Sequence, residues 1–325
     1  MYTSFFKIDK RSFIAQSLFG FGFRFRGLHP SPLPVASKKA PTNRLSDPGL
    51  DDTGDLSLVK TGKHGRNLKL NPKEIHFETI GSTHKFAVEN GDSLAHLAVI
   101  TADNQTCGRG RLGRKWLSSI GTSALISIVT KPDITPDRAS QITALMAVTA
   151  ARVLTCLGIK TEIKWPNDIL ICDKKIAGIL AEASLRGNSV GFIVASIGIN
   201  LNQREEELAL IDRPATSVFM ETGIRHDPAE IRRQFLSSFK ELYEIFRLEG
   251  FHPILKEWKK SLAYLGDRVL LDLGGQVIDG KICDIDEDAC IIIDAGDGQK
   301  RRFSSGEITS VRSKTERISD DSRRI

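Results

Sequence analysis

Residues 106–116 read TCGRGRLGRKW, so three glycines and four basic side chains fall within eleven positions that end on a tryptophan. Gly108, Gly110 and Gly113 spell G-x-G-x-x-G, the dinucleotide-binding fingerprint, which must follow a strand and open a helix. A strand is predicted before this stretch, but the residues after it, KWLSSIGTSALISIV, have no helical period. The context therefore excludes a Rossmann-type nucleotide site.

The positive charge of residues 106–116 is consistent with two further kinds of binding site, one for RNA and one for a phosphate group. An arginine-rich RNA contact would explain the four basic residues, but no aromatic platform accompanies them. Alternating glycine and arginine instead suits a phosphate, because the backbone can come close while guanidinium groups bond oxyanions bidentately. Since no G-x-x-x-x-G-K-[ST] motif occurs, we expect a nucleotide phosphate held outside any P-loop or Rossmann frame.

The composition is that of a globular protein, with 325 residues, 40% of them hydrophobic, and a net charge of +6. Residues 1–45 hold eight Lys and Arg against one acid, so the rest of the chain has a net charge of −1. We therefore expect no nucleic-acid partner and, without an apolar run long enough to span a bilayer, no membrane. The five cysteines are widely spaced without a C-x-x-C pair, which is typical of reduced thiols in a cytosol-like compartment and predicts no bound structural metal.

The first 70 residues have no sustained period and contain the linker-like segments SPLPVASKKAPTN and DPGLDDTGDL. They are predicted to be a disordered extension or, because residues 1–45 are basic and poor in acids, a targeting peptide. The predicted localisation is accordingly cytoplasmic, with a mitochondrial or other organellar location as the alternative.

Residues 71–262 are predicted to form an α+β domain with a mixed sheet, and residues 263–315 a small SH3-like β-barrel before a charged tail at 316–325. Buried strands are expected at 94–103, 123–130, 174–183 and 191–201. Two helices are expected to begin at N-caps, one at Thr135 and one at Asp227, the second with Glu230 in a capping-box arrangement.

Five blocks, in order, resemble the biotin protein ligases, also called biotin–[acetyl-CoA-carboxylase] ligases or holocarboxylase synthetases. The blocks are GSTHKFA (81–87), QTCGRGRLGRKW (105–116), KWPNDIL (164–170), KKIAGIL (174–180) and SIGINLN (196–202). The resemblance implies that ATP and biotin are substrates, with Mg²⁺, and that biotin is attached to a lysine of a biotin carboxyl carrier domain through biotinyl-5′-AMP.

The resemblance also implies the residues of the site. The biotin-binding set would be Ser82, Thr83, His84, Gln105, Gly108, Arg109, Gly110, Arg111 and Lys175. The ATP and adenylate set would be Arg111, Arg114, Trp116, Asn167 and Asn200, and the catalytic set Lys175, Arg111 and Asp168. No metal ligand is implied beyond Mg²⁺ bound with ATP near Asp168. The family commonly has Asn where this chain has His84, which leaves the contact of that side chain open.

The residue types suit this chemistry, because the carboxylate of biotin must attack the anionic α-phosphate of ATP and converging cations offset the repulsion. Asp168 could instead be a turn residue of Pro166-Asn167-Asp168, and Lys175 a solvated surface lysine. A lipoate or octanoate ligase is the alternative within the same fold, and a bifunctional ligase and DNA-binding repressor is the other. The second requires a winged helix before residue 70, for which no helical pattern occurs. The chain is expected to be a monomer or a homodimer.

Overall fold

The computed structural model describes residues 74–209, 211 and 213–312. The expectations for residues 1–70 and for the tail at 316–325 lie outside these residues. The described part contains two sheets, which belong to one compact unit.

The larger sheet has seven strands in the order β1-β2-β3-β7-β6-β5-β4. Its strands are β1 (Glu74–Ile80), β2 (Ala98–Gln105), β3 (Ser123–Thr130), β4 (Glu162–Lys164), β5 (Asp168–Ile171), β6 (Lys174–Arg186) and β7 (Ser189–Asn200). Only the β1–β2 pair is parallel among these neighbours, so the sheet is mixed, as the sequence predicts. All eight residues of β3 are buried, which explains its continuous apolar run SALISIVT.

Helices cover this sheet. They are α1 (Thr83–Asn90), α2 (Ser140–Cys156), α3 (Glu205–Leu208), α4 (Val218–Thr222), α5 (Pro228–Glu249) and α6 (His252–Lys260). Helix α1 packs on β2, β3 and β7 around Ala87, Ile100, Val129 and Phe192, while α2 packs on β6 and β7 and against α5. Fourteen of the seventeen residues of α2 are buried, so this helix is the centre of the core.

The two predicted helix starts have different outcomes. Asp227 caps α5 by accepting a hydrogen bond from the Ala229 amide, but Glu230 does not close a capping box because it is held by Arg233 and Gln234. Thr135 and Pro136 begin a short 3₁₀ turn, Pro136–Arg138, and α2 itself begins at Ser140. The segment Pro136–Cys156 is long and apolar enough to cross a membrane, but 83% of its most apolar window is buried in the protein, as in a core helix.

The smaller sheet is antiparallel, with five strands in the order β11-β10-β9-β8-β12. Its strands are β8 (Arg268–Asp272), β9 (Val277–Ile285), β10 (Ile291–Asp294), β11 (Lys300–Phe303) and β12 (Glu307–Arg312). The five predicted short strands are therefore present. The Trp165 indole, buried at the β4–β5 turn, donates to the Ala289 carbonyl oxygen and ties this C-terminal sheet to the larger one.

Candidate active site

The stretch 106–116 forms a loop that leaves the end of β2 and folds back on itself. The Gly110 amide donates to Arg114 O at 2.8 Å, and the Trp116 amide donates to Gly108 O at 3.0 Å. A 3₁₀ turn at Arg111–Gly113 makes the reversal, with Gly113 at φ +76° and Leu112 at φ +53°. The turn needs left-handed backbone at both positions, which glycine adopts without strain. The loop returns Trp116 to the sheet.

Trp116 lies over a glycine floor. Gly178 of β6 and Gly198 of β7 are paired in register, and a Cβ added to Gly198 would stand 2.4 Å from Trp116 Cε2. A Cβ added to Gly178 would stand 3.1 Å from the same ring and 2.7 Å from Lys175 Nζ. Lys175 Nζ is in turn 5.9 Å from the centroid of the indole. Two side-chain-free positions on neighbouring strands therefore allow a flat ring to lie directly on the sheet.

The indole divides two adjoining cavities. The smaller is a slot with Ser82, Thr83, His84 and Gln105 on one side and the glycine floor on the other. The larger is lined by Arg111, Arg114, Asn167, Asp168, Lys175 and Asn200. Arg109 and Trp116 border both cavities, and Gly110 lies on the larger one. The structure thus gathers residues from all five sequence blocks around one double site.

The larger cavity is positively charged and partly shielded from solvent. Lys175 Nζ lies 2.6 Å from Asp168 Oδ1, an ion pair across the β5–β6 hairpin. The Lys175 backbone is held as well, because its amide donates to Pro214 O and its carbonyl accepts from the Thr216 amide. Burial lowers the pKa of the Lys164 ammonium, which lines the same cavity. The nearby carboxylate of Asp168 opposes that shift.

Asn167 positions Arg111. Its Oδ1 accepts from Arg111 Nη1 at 2.8 Å, while its Nδ2 donates to the carbonyl oxygen of Ile179 on β6 at 2.8 Å. Burial is the main influence on the Arg111 guanidinium and lowers its pKa, with Asp168 opposing. The motif KWPND therefore fixes the direction of the half-buried Arg111 guanidinium. Asn167 acts here through Arg111.

The C-terminal sheet closes the other side of this cavity. Both Glu307 oxygens accept from the Arg114 guanidinium, at 2.8 and 3.1 Å, and Glu307 also accepts from Arg213. The Gly306 carbonyl oxygen accepts from Arg111 Nη2 at 3.3 Å. Burial raises the pKa of Glu307, but the hydrogen bonds from the two arginines outweigh it and lower the pKa to about 2. The start of β12 is thus part of the site.

The side chains of two further predicted residues, Asn200 and Ser82, already form hydrogen bonds within the protein. Asn200 is buried, donates to the Thr216 carbonyl oxygen and accepts from Gln203. Ser82 is the N-cap of α1, and its hydroxyl accepts from the Lys85 amide at 3.3 Å. Gly108 is buried against the loop, where a Cβ would come within 2.5 Å of Trp116 O. These residues shape the walls of the site.

Sequence reasoning missed several residues that line the cavity or support it, namely Lys164, Gly178, Arg213, Gly306 and Glu307. Lys164 begins the quoted block KWPNDIL and could have been found there. Ser127 and Ser196, polar residues inside two buried apolar strands, carried a signal as well, since a buried hydroxyl needs a partner. Nothing local marked Glu307, whose role depends on how the two sheets meet.

The arrangement can bind an acyl group beside a nucleotide phosphate. A slot with a glycine floor and with amide and hydroxyl groups opens beside a cavity where half-buried cations would stabilise developing negative charge. Among the described residues no group of three His, Cys, Asp or Glu side chains could hold a metal. Asp168 is paired with Lys175 and Glu307 with two arginines, so the donor set does not fit a protein-held ion.

Fold and site define the class. Residues 77–202 match the biotin/lipoate A/B protein ligase family, and residues 264–309 match the biotin protein ligase C-terminal domain. The bifunctional ligase/repressor BirA of Bacillus subtilis is 32% identical over 250 residues, which span 76% of this chain and 75% of that protein. The chain belongs to this family and, within it, to the biotin protein ligases.

Two further relatives agree with this membership. The biotin–[acetyl-CoA-carboxylase] ligase of Paracoccus denitrificans is 32% identical over 217 residues, covering 65% of this chain and 90% of that protein. The solved biotin protein ligase from Aquifex aeolicus in complex with biotin and ATP has a TM-score of 0.61 at 28% identity, covering 74% of this chain and 98% of that one.

Proposed function

We propose that this biotin protein ligase joins biotin to one lysine of a biotin carboxyl carrier domain, with biotinyl-5′-AMP as the intermediate and ATP, brought with Mg²⁺, as the activating substrate. The observation that carries the proposal is the pair of cavities separated by Trp116, one a slot and the other lined by Arg111 and Lys175. If the ring system of biotin occupies the slot, its carboxylate would lie past the indole, toward Arg111 and Lys175.

In the first step a carboxylate oxygen of biotin attacks the α-phosphorus of ATP and pyrophosphate leaves. Both reactants are anionic, so the barrier includes their mutual repulsion and the charge that develops on the phosphoryl oxygens. Arg111 is fixed by Asn167, and Lys175 by its pair with Asp168 and by its held backbone. Cations that are already oriented need no reorganisation during the reaction, which is how such groups lower a barrier.

In the second step the ε-amine of the acceptor lysine attacks the acyl carbon, AMP leaves, and the amine gives up a proton. Asp168 is the carboxylate on the larger cavity that lies beside Lys175, and it would orient or deprotonate the incoming amine. The indole of Trp116 would cover the adenylate from the side of the slot. A covered intermediate is protected from water.

A lipoate or octanoate ligase is the competing function within the same family. A direct test incubates the full chain with ATP, Mg²⁺, an isolated carrier domain and either biotin or lipoate, and then measures the intact mass of the carrier. We expect a gain of one biotinyl group on one lysine. Acylation by lipoate but not by biotin would overturn the proposal, as would a carrier of unchanged mass with an enzyme shown to be folded.

A further inference from the structure

A chain of buried hydrogen bonds leads from His84 to the slot. His84 Nδ1 lies 2.7 Å from Ser196 Oγ, and Ser196 Oγ lies 2.7 Å from Ser127 Oγ, its register partner on β3. Ser127 Oγ is 2.9 Å from Thr83 Oγ1, which is 3.0 Å from Gln105 Oε1. His84, Ser196, Ser127 and Thr83 are all buried. The chain therefore runs along the wall of the slot, with these four side chains shielded from bulk water.

The direction of every bond in this chain is fixed by its last member. The Thr83 backbone N–H also points at Gln105 Oε1, at 2.8 Å, and an amide N–H can only donate. The Gln105 oxygen must therefore face Thr83, and the Thr83 hydroxyl gives it its single proton. Thr83 Oγ1 is then an acceptor for Ser127, whose proton is used in turn, so Ser196 must donate to Ser127.

The same count of hydroxyl protons decides which role the Nδ1 atom of His84 has in its hydrogen bond. Ser196 has given its only proton to Ser127, so the hydrogen bond at its other side must come from the imidazole. Nδ1 of His84 consequently carries a proton and donates. On the opposite edge of the ring, Nε2 has no hydrogen-bond partner among the described residues and lies 3.6 Å from Glu182 Oε2 on β6, the acidic group that faces it. His84 is thus the first donor of a one-way chain.

We infer that His84 is a positioning residue for biotin: its Nδ1 donor holds the Ser196 hydroxyl in the direction that the Thr83 amide sets, and so holds the Thr83 hydroxyl and the Gln105 amide in place at the slot. Thr83 Oγ1 is committed to Gln105 Oε1, and the amide NH₂ of Gln105 is left as the donor available to a ligand. The inference rests on the proposed function, because the slot must receive the urea ring of biotin. The ligand class it favours is a ring bearing a neutral carbonyl, as a urea does.

Without this donor the Ser196 hydroxyl loses the partner that holds it, and Ser127 and Thr83 are held less firmly beside the slot. His84→Phe keeps an aromatic ring but has no proton to give. His84→Asn keeps a donor at the same number of bonds from Cα, because its amide nitrogen replaces Nδ1. Ser196→Ala interrupts the chain one step later and leaves His84 in place.

The experiment measures pyrophosphate release by the full-length enzyme as a function of biotin, of ATP and of 2-iminobiotin, which replaces the urea carbonyl with a protonated C=N group. We expect His84→Phe and Ser196→Ala each to raise the KM for biotin about tenfold, the order expected for the loss of one buried hydrogen bond, with a much smaller effect on kcat and on the KM for ATP. The preference for biotin over 2-iminobiotin should fall in both variants. The double variant should be no worse than either single one, and His84→Asn should recover most of the loss.

Additive losses in the double variant, or a biotin KM unchanged in His84→Phe, would overturn the inference. An equal rise in the KM for ATP would indicate general damage and would overturn it too. If His84→Phe does not fold, the rise in unfolding temperature that biotin gives to Ser196→Ala decides the matter, since wild-type behaviour there excludes the chain. A wild-type enzyme that releases no pyrophosphate with biotin would contradict the proposed function instead.

Discussion

Gly198→Ala tests whether the position of Trp116 on its glycine floor matters for catalysis. The new methyl carbon would stand 2.4 Å from Cε2 and 2.5 Å from Cζ2 of the indole. Since carbon atoms rest about 3.5–4.0 Å apart, the ring must rise by roughly 1 Å or tilt away from β7. The backbone of Gly198 cannot yield, because both its neighbours in the sheet, β3 and β6, are paired through it.

The expected loss is large for so small a change. A displacement of about 1 Å in a group that positions substrate can cost on the order of 100-fold in rate. Overpacking of this kind typically destabilises the fold by about 1–3 kcal/mol, which leaves most domains folded. We therefore expect kcat/KM for biotin-dependent pyrophosphate release to fall by about two orders of magnitude in a protein that still unfolds cooperatively.

Gly91→Ala is the matched control. A Cβ on Gly91 would stand 2.3 Å from Cε2 of Phe192, an equally severe overlap with an aromatic ring, but in the core cluster under α1. This variant should lose stability while keeping its KM for ATP. If Gly198→Ala keeps kcat/KM within about twofold of the wild type, or if both variants lose activity in proportion to stability, the position of the indole on the glycine floor does not matter for catalysis.

Four more outcomes follow from the sequence and the site. Lys175→Ala should reduce adenylate formation by about 100-fold or more, whereas Lys174→Ala, which loses an exposed pair with Glu221, should be near wild type in the same assay. The pKa of Glu307 is lowered from 4.5 to about 2, so its bonds to the two arginines stabilise the fold above pH 4.5 and are lost as the pH falls toward 2. Glu307→Gln should therefore lower the unfolding temperature at pH 7. The difference in unfolding temperature between this variant and the wild type should vanish near pH 2. A chain that begins at residue 70 should keep full ligase activity, and fusion of residues 1–45 to a reporter would distinguish import into an organelle from a cytoplasmic location. The full chain should give no gel shift with DNA at modest salt, and a specific shift would make it a bifunctional repressor.

Local signals were enough to predict the central elements. The apolar runs of β3 and β7 and the Asp227-Pro228 start of α5 predicted buried strands and a capped helix, and all three are present. Such features depend on interactions between residues close in sequence. A strand buried on both faces is a continuous apolar run, and an N-cap is a single polar residue before a helix, so both can be recognised within a few residues. The contacts among the quoted blocks followed from the resemblance, since spacing alone does not bring residue 84 beside residue 196.

What could not be predicted depends on contacts between distant parts of the chain. The resemblance implies that Asn167 binds ATP, but nothing in the sequence indicates that its amide donates to the Ile179 carbonyl oxygen of β6 and accepts from Arg111. Glu307 follows 193 residues after Arg114, and no local pattern distinguishes it from the other acids of the C-terminal sheet. The proton order along the wall of the slot likewise depends on four elements that meet there, namely β2, β3, β7 and α1.

The contact between the 306–307 turn and the loop arginines also orders events during synthesis. A ribosome makes the chain from its N-terminus, and domains generally fold in that order as they emerge. The slot and the glycine floor can form once β7 has left the ribosome. Arg111 and Arg114, however, have no hydrogen bonds to Gly306 and Glu307 until those residues, more than a hundred positions later, have been synthesised. A chain still attached to the ribosome thus has a place for biotin before it has a finished place for phosphate. We therefore expect the proposed acyl phosphate to form only in molecules whose translation has passed Glu307.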